Sequence, residues 1–336
     1  MAISQSSSYS GEVLEAFITK AVTGNDTVDK GSIKIKSGIQ YKYTLPVIQV
    51  GNIIQPRVAT PVSSVGDFVI TERQLTPTDF MVYSEFNPRD LESFWKFAQP
   101  EGNLVFRTLD PQTQVALVGE LMRELNRYLG QAIWHGVKDI TGTFTTVTPA
   151  GGVALGDPAL ALDEFNGLLP RILEDARDGA VGSQPILAGN TEITTTTEIL
   201  AALNAVFNAI PKALRGKADL KIIMDIALFD LYDQALIEAN FKHADYTNTN
   251  VQRFRGIEIV PTNGFPTSTI VAAVANTGQD SNLWMGVDYV NDSEVLQVAK
   301  VQENSELYFF KMLMKADTVV AKPSELVYYT PYVLTA

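Results

Sequence analysis

Cysteine is absent from this chain of 336 residues. The absence excludes disulfides, thiolate chemistry, iron–sulfur clusters and cysteine-ligated zinc, and it fits a reducing compartment. Histidine is scarce, because only His135 and His243 are present and neither has a second histidine at metal-ligand spacing. The sequence also contains no HExxH motif, no glycine-rich phosphate loop and no GxSxG elbow. We therefore predict no catalytic, cofactor-binding or metal-binding residues.

Positive charge is in short supply, since 26 Lys and Arg stand against 38 Asp and Glu and give a formal net charge of −12 at pH 7. The sequence shows no basic cluster, whereas nucleic-acid binding requires Lys and Arg concentrated on one face. Long apolar runs are absent too: no segment approaches the length of a bilayer, and the first residues lack the pattern of a signal peptide. We therefore expect a soluble protein, made in the cytoplasm, that binds no membrane.

The longest helical pattern in the chain runs from Asp110 to Gly136. Asp110 suits the N-cap, Pro111 suits the first helical position, and Gly136 suits a left-handed helix end. Between them apolar residues recur at spacings of three and four: Val115, Val118, Met122, Leu125, Leu129 and Ala132. Such a helix is roughly 37 Å long at about 1.5 Å per residue. We expect it to span its domain as the support on which sheets pack.

Two strand-like runs, Asp67 to Leu75 and Asp79 to Phe86, are separated by the turn Thr76-Pro77-Thr78 and predict a β-hairpin. A two-stranded hairpin is marginally stable in water unless it packs on something. Either the rest of the subunit covers it, or it is an arm that packs on a neighbouring subunit. The second interpretation predicts inter-subunit contacts through Leu75, Phe80, Val82, Tyr83 and Phe86.

The chain ahead of the long helix contains further short elements. Glu12 to Val22 is amphipathic and predicts a helix, and Ile33 and Ile35 alternate with lysines as in a half-exposed strand. A short helix from Pro88 to Phe97 and a brief strand from Leu104 to Arg107 are predicted next. A polar arm that lies outside a compact core is often a docking device.

After Gly156, helices alternate with strands, which indicates an α/β subdomain. The predicted helices cover 161–176, 194–214 and 226–240, and the predicted strands cover 185–188, 220–224, 256–260, 269–274 and 282–287. The C-terminal segment, 294–332, again has the alternating pattern of strands. One of its faces is wholly apolar and is formed by Tyr308, Phe310, Met312 and Met314. The long helix is the available cover for that face. The chain is therefore predicted to be α+β, with an α/β subdomain inserted into a helix-on-sheet platform made from both ends of the chain.

This order of elements resembles the major capsid proteins of tailed bacteriophages with the Hong Kong 97-like fold. Three stretches carry the resemblance: GDFVITERQLTPTDFMVYSEFNPRDLESFW, TTTTEILAALNAVFNAIPKALRGKADLKIIMDIALFDLYDQAL and ENSELYFFKMLMKADTVVAKPSELVYY. The resemblance implies an N-terminal arm with the first strands (1–50), an extended loop (51–100), a spine helix with the first part of the peripheral domain (101–155), an inserted axial domain (156–280) and the second part of the peripheral domain (281–336).

The function that this resemblance implies is structural. Copies of the chain would form hexamers and pentamers that close into an icosahedral shell around packaged double-stranded DNA, assembled in the host bacterial cytoplasm and located in the virion capsid. A portal, a separate scaffolding protein and a decoration protein are the implied partners, and DNA would be enclosed without sequence-specific binding. Some family members cross-link subunits through a lysine on the extended loop, but here no lysine lies between Lys42 and Lys96. We therefore expect a shell held by non-covalent contacts.

Two alternatives stay open at this point. Encapsulin nanocompartments share the fold and would enclose enzymes instead of DNA. An α/β enzyme with an unrecognised site belongs to a different class of function, and it predicts a small oligomer with a deep pocket that contains perturbed titratable groups.

Overall fold

The computed structural model describes residues 7–9, 25–50, 54, 57, 59, 68–87, 111–145, 149–180, 182–238, 253–288, 296–302 and 307–335. The α-helices within these residues are α1 (Asp26–Asp29), α2 (Pro111–His135), α3 (Leu168–Asp178), α4 (Thr196–Ala209) and α5 (Ile226–Glu238). The strands are β1 (Ser7–Tyr9), β2 (Lys34–Lys36), β3 (Tyr43–Val50), β4 (Phe68–Leu75), β5 (Thr78–Phe86), β6 (Thr143–Thr145), β7 (Ile186–Gly189), β8 (Leu220–Asp225), β9 (Arg253–Phe254), β10 (Ile257–Thr262), β11 (Ile270–Val274), β12 (Leu283–Asp288), β13 (Leu296–Lys300), β14 (Tyr308–Val320), β15 (Val327–Tyr329) and β16 (Val333–Thr335).

Helix α2 is the predicted long helix, and its apolar stripe is buried. Val118, Met122 and Leu129 pack in one core with Phe310, Met312 and Met314 of β14, as predicted. The short helix α1 is fastened to the end of α2, because the buried Trp134 donates its Nε1–H to Thr27 Oγ1 at 3.0 Å. The long helix therefore contacts the first sheet along its apolar stripe and helix α1 near its C-terminal end.

The end of α2 differs from the prediction for Gly136. Its φ is not positive, so the glycine does not act as a left-handed cap. Instead the segment around Phe165 and Gly167 crosses directly over it: Gly167 N donates to Gly136 O at 2.7 Å, and a Cβ on Gly136 would lie 2.2 Å from the Phe165 carbonyl oxygen. Glycine is required here because two backbones approach closely, not because of its φ.

The first sheet is organised around β14. Its residues 308–316 pair antiparallel with β5 along one edge, while the other edge pairs with β13 in the first half and with β12 in the second half. The order β1-β13-β14-β12-β2 completes the sheet. Strand β12 also pairs in parallel with β2, which places Lys36 opposite Gly286. This sheet joins residues from both ends of the sequence, as predicted.

The second sheet has the order β7-β15-β11-β8-β10-β9 and forms the inserted α/β part. Alternate residues of its inner strands face two different cores: Ile223 and Val271 pack towards α2 and α3, whereas Ile222 and Ala272 pack under α4 and α5. Burial on both faces explains the continuous apolar runs of β8 and β11. Helix α4 begins with a capping box between Thr195 and Glu198.

Three further sequence-based predictions need correction. The hairpin between residues 67–75 and 79–86 is wrong, because β4 pairs with β3 and β5 pairs with β14. The helix predicted to begin at residue 161 begins at Leu168 instead. Ala161 has a left-handed φ of 53°, which is incompatible with a right-handed helix at that position. The helix predicted for 194–214 ends at Ala209, ahead of Ile210-Pro211. The predicted elements at 12–22, 88–97 and 104–107 lie outside the described residues.

Candidate inter-subunit surfaces

Strands β3 and β4 form a two-stranded antiparallel ribbon that pairs with no other strand in the described part of the chain. Its register places Tyr43 opposite Leu75 at one end and Val50 opposite Phe68 at the other. One face turns inward at the first of these ends, where Leu75 is buried against Trp284 and Val319. The ribbon is therefore anchored to the body of the subunit at this end.

The outward face of the ribbon carries an apolar pair. Ile48 and Ile70 are directly opposite each other across the two strands, and they are 56% and 63% exposed. Ile54, four residues after the end of β3, is also exposed. Apolar side chains that project from an extended ribbon mark a surface that another chain can cover.

Charged groups fasten the anchored end of the ribbon to the rest of the subunit. Arg73 of β4 donates to Asp175 of α3 at 2.7 Å. The backbone N–H of Thr76, just after β4, donates to the buried Asp317 of β14 at 2.9 Å, and Arg171 of α3 approaches the same carboxylate at 3.4 Å. We call these five residues the ribbon clamp. It connects the ribbon to a helix and to the central strand of the first sheet.

The two carboxylates of the ribbon clamp titrate abnormally. Burial raises the pKa of Asp317 above its ordinary range, although Arg171 and the Thr76 N–H lower it. Burial likewise raises the pKa of Asp175 despite the opposing effect of Arg73. Because a raised pKa means earlier protonation on acidification, acid weakens this clamp at a higher pH than it would weaken an exposed ion pair.

The five residues predicted to make inter-subunit contacts do not share one environment. Leu75 and Phe80 are buried inside the subunit, where the Phe80 ring lies 6.0 Å from that of Phe165. Val82 is partly buried against the first core, and Phe86 stacks on Tyr308 at 6.1 Å. Tyr83 is 48% exposed. Of the five, Tyr83 offers the most surface to another chain, while Leu75 and Phe80 hold the elements from within.

A second exposed apolar surface covers the outer face of the first sheet. Met81 of β5 and Leu313 of β14 are cross-strand partners and both are exposed, and Tyr83 stacks on Phe309 beside them at 6.0 Å. We call this group the outer-sheet patch. Period-two alternation could have identified Met81 and Leu313, because they alternate with the buried Phe80, Met312 and Met314. Ile48 and Ile70 could not be separated from ordinary strand residues until the pairing of β3 with β4 was known.

The structure also bears on the enzyme alternative. A polar cleft of about 390 Å³ lies beside α2, and among the described residues Asp26 is its single carboxylate. No group of three or more His, Asp or Glu side chains that could hold a metal is found in the described part of the chain. His135 is buried and lies outside this cleft, and His243 lies outside the described residues. No helix among the described residues is long and apolar enough to cross a membrane.

Comparison with known proteins gives similarity in structure but not in sequence. The chain matches no protein-family model and no curated protein sequence. Among solved structures, it is similar to the procapsid of satellite phage P4 that includes the size determination (Sid) protein, with 14% identity and a TM-score of 0.54 over 98% of this chain and 94% of that one. It is similar to the capsid of Myoviridae phage XM1, with 11% identity and a TM-score of 0.51 over 90% and 91% of the two chains. The capsid of a native GTA particle gives 11% identity and a TM-score of 0.51 over 92% and 90%.

These likenesses define the class of fold. The chain has the fold of viral capsid proteins, mixed helix and sheet, over almost its whole length. More particularly, it is the Hong Kong 97-like fold that the order of elements in the sequence predicted. The resemblance to capsid proteins that was inferred from the sequence is therefore confirmed at the level of the fold.

Proposed function

We propose that this chain is the major capsid protein of a tailed phage, and that copies of it assemble into an icosahedral shell that encloses double-stranded DNA. The observation that carries the proposal is the isolated β3–β4 ribbon with the exposed pair Ile48 and Ile70. A free two-stranded ribbon with exposed isoleucines is a liability for a monomer, but it is an advantage for a subunit with neighbours that cover it.

The division into domains follows from this proposal. Residues 51–100, which include strand β4 of the ribbon, would supply the extended loop, and the first sheet with α2 would supply the peripheral domain. The second sheet with α4 and α5 supplies the axial domain. Strand β15 joins that second sheet, although the sequence placed it with residues 281–336 in the peripheral domain. Portal, scaffolding and decoration proteins would complete the particle.

Inter-subunit contacts would use the two exposed apolar surfaces. The outer-sheet patch, with Met81, Tyr83 and Leu313, offers a flat apolar area. The isoleucines of the ribbon offer a matching apolar projection. Many weak contacts of this kind add up in a closed shell, so each can remain reversible during assembly.

Negative-stain electron microscopy of the chain expressed alone, with light scattering on the same sample, tests the proposal. The expected result is closed shells or capsomer rings. A compact monomer whose residues 43–75 resist protease would contradict it. Particles that contain protein cargo in place of nucleic acid when isolated from their natural source would identify a nanocompartment instead of a phage head.

A further inference from the structure

Two arginines that are far apart in the sequence, Arg215 and Arg255, meet at the β9 edge of the second sheet. Arg215 follows α4, while Arg253 and Arg255 belong to β9 and the tight turn after it. The guanidinium carbons of Arg215 and Arg255 lie 4.7 Å and 4.9 Å from the centre of the same Phe207 ring. Lys212 is exposed in the same loop as Arg215. We call Lys212, Arg215 and Arg255 the basic cluster; Arg253 lies across from Glu258 and is not part of it. The sequence did not reveal it because two separate segments supply it.

The positions of the two stacked arginines are fixed. Arg215 donates from Nε to Ile210 O and from Nη2 to Asn208 O, both at 3.1 Å, and so satisfies carbonyl groups at the end of α4. Arg255 lies over Phe207 and also over Phe254, at 5.6 Å. A guanidinium that stacks on an aromatic ring by its face can keep its N–H edge available for an anion. This applies to Arg255, whereas Arg215 uses Nε and Nη2 for the carbonyl groups of α4.

The backbone of Arg255 is unusual for an arginine. It has a φ of 49° and is followed by Gly256 with a φ of 88°, in the turn between β9 and β10. A left-handed conformation costs about 1–2 kcal/mol for a residue with a Cβ, and asparagine or glycine is the ordinary choice in such a turn. Stacking of the Arg255 guanidinium on Phe207 and Phe254 offsets this local cost, and it holds the positive charge at the exposed surface.

Charge balance indicates the chemistry of that partner. Lys212 and Arg255 form no ion pair with a carboxylate in the described part of the chain, although the whole chain carries a formal charge of −12. Copies with this charge repel one another and can approach closely where opposite charges face each other. Arginine combined with aromatic rings is also the composition of energetically important interface residues.

We propose that the basic cluster docks on an acidic surface of a second copy of this chain. The proposal rests on the proposed function to the extent that copies must become neighbours in an assembly. Nucleic acid is the weaker match, since its binding requires a stripe of cations along one face, whereas the rest of this chain is acidic.

A pair of double variants tests the proposal. Lys212→Gln with Arg255→Asn removes two cations. Asparagine suits the left-handed turn, and thermal melting checks that the fold is retained although the stacking of Arg255 on Phe207 and Phe254 is lost. Lys138→Gln with Arg123→Gln changes the net charge by the same amount at exposed positions of the α2 region. At low ionic strength we expect the first variant to need a roughly tenfold higher protein concentration to assemble, and the second to assemble like the wild type. Equal behaviour of the two variants would overturn the proposal.

Cross-linking identifies the partner directly. Wild-type particles assembled from a mixture of ¹⁴N- and ¹⁵N-labelled chains are treated with a carbodiimide, which joins a lysine amine to a carboxylate with loss of water. Mixed-isotope peptides that connect Lys212 to an Asp or Glu would support the proposal, and their absence in particles that yield other mixed cross-links would contradict it.

A nucleic-acid arm completes the test. The wild type and the Lys212/Arg255 variant are compared for binding to a short DNA duplex at low ionic strength. If the wild type binds, the variant does not, and assembly of the variant is unchanged, the cluster binds DNA instead of a second copy. A wild-type chain that never assembles would contradict the proposed shell function, whereas normal assembly of both double variants would contradict this inference alone.

Discussion

Ile48 and Ile70 are cross-strand partners on the outward face of the β3–β4 ribbon, and more than half of each side chain is exposed. Neither side chain contributes to the buried cores of the subunit. Their replacement should therefore leave the free subunit almost unchanged and affect only what the ribbon contacts.

The double variant Ile48→Thr with Ile70→Thr should abolish or strongly weaken assembly. Threonine keeps the β-branched shape that suits a strand, but its hydroxyl removes the apolar surface. Burying one such side chain contributes about 1.5–3 kcal/mol, and the loss is repeated at every contact in a shell. Light scattering and electron microscopy measure assembly, and thermal melting measures the fold. Ile48→Val with Ile70→Val is the control and should assemble. Normal shells from the threonine variant would show that the ribbon is not a contact.

The ribbon clamp should restrain the ribbon more than it stabilises the subunit. Arg73→Gln removes the ion pair to Asp175, which is partly exposed, so the free energy of unfolding should fall by about 1 kcal/mol or less. Hydrogen exchange at β3 and β4 amides should nevertheless become faster, because the tether to α3 is lost. Asp178→Asn is a matched control on the same helix, since Asp178 pairs only with Arg177 among the described residues. Equal exchange in both variants would refute the role of the clamp.

Replacement by alanine should have opposite effects on stability at two glycines in the region of the long helix. A Cβ on Gly136 would lie 2.2 Å from the Phe165 carbonyl oxygen, so Gly136→Ala must displace backbone and should destabilise the fold by more than about 2 kcal/mol. Gly119 has open space at its Cβ position, and Gly119→Ala should stabilise the helix by roughly 0.5–1 kcal/mol. Chemical denaturation measures both changes, and a mild effect at Gly136 would contradict the close backbone contact.

Stability should fall in acid because of His135. Burial lowers its pKa from 6.5 to about 4, while its Nδ1 remains hydrogen-bonded to Gln131 O at 3.2 Å. The unfolded chain therefore binds more protons than the folded chain between these two values. The stability contribution is complete above pH 6.5 and is lost as the pH falls towards 4, by about 3 kcal/mol in total.

Denaturant unfolding across this pH range measures the effect. In His135→Gln the corresponding part of the slope should disappear, whatever the stability of the variant at pH 7. The clamp carboxylates Asp175 and Asp317 have raised pKa values, so their contribution to stability changes with pH in the opposite direction. They are present in both proteins, so the difference between the pH slope of the wild type and that of His135→Gln isolates the histidine. Parallel slopes would exclude His135 as the source.

The sequence predicted the elements that have strong periodicity. Helix α2 and strand β14 carry their apolar residues at unambiguous spacings, and both were correctly placed, as was their contact. The pairing of β4 and β5 was wrong for a physical reason. Adjacent strands joined by Thr76-Pro77 have the local signature of a hairpin, but Asp317 accepts from the Thr76 N–H and so holds the turn at the point where the two strands diverge to different partners.

Surface function was harder to predict than fold. Alternation identifies which residues share a face of a strand, but it does not tell which face another chain will cover. Leu75 and Phe80 therefore looked equivalent to Tyr83, although the first two are buried within the subunit. The basic cluster was undetectable because Arg215 and Arg255 meet only through Phe207 in the folded chain.

Strand β15 is the last strand of the second sheet to be synthesised. It lies between β7 and β11, and β7 pairs with no other strand in the described part of the chain. A ribosome delivers residues 327–329 after every other strand of that sheet, so a nascent chain holds β7 without a neighbour until synthesis has nearly passed β15. A prematurely terminated chain would lack the strand that joins β7 to the rest of the sheet, and its α/β part would be unfinished. If the chain assembles as proposed, this topology would keep truncated subunits out of the shell.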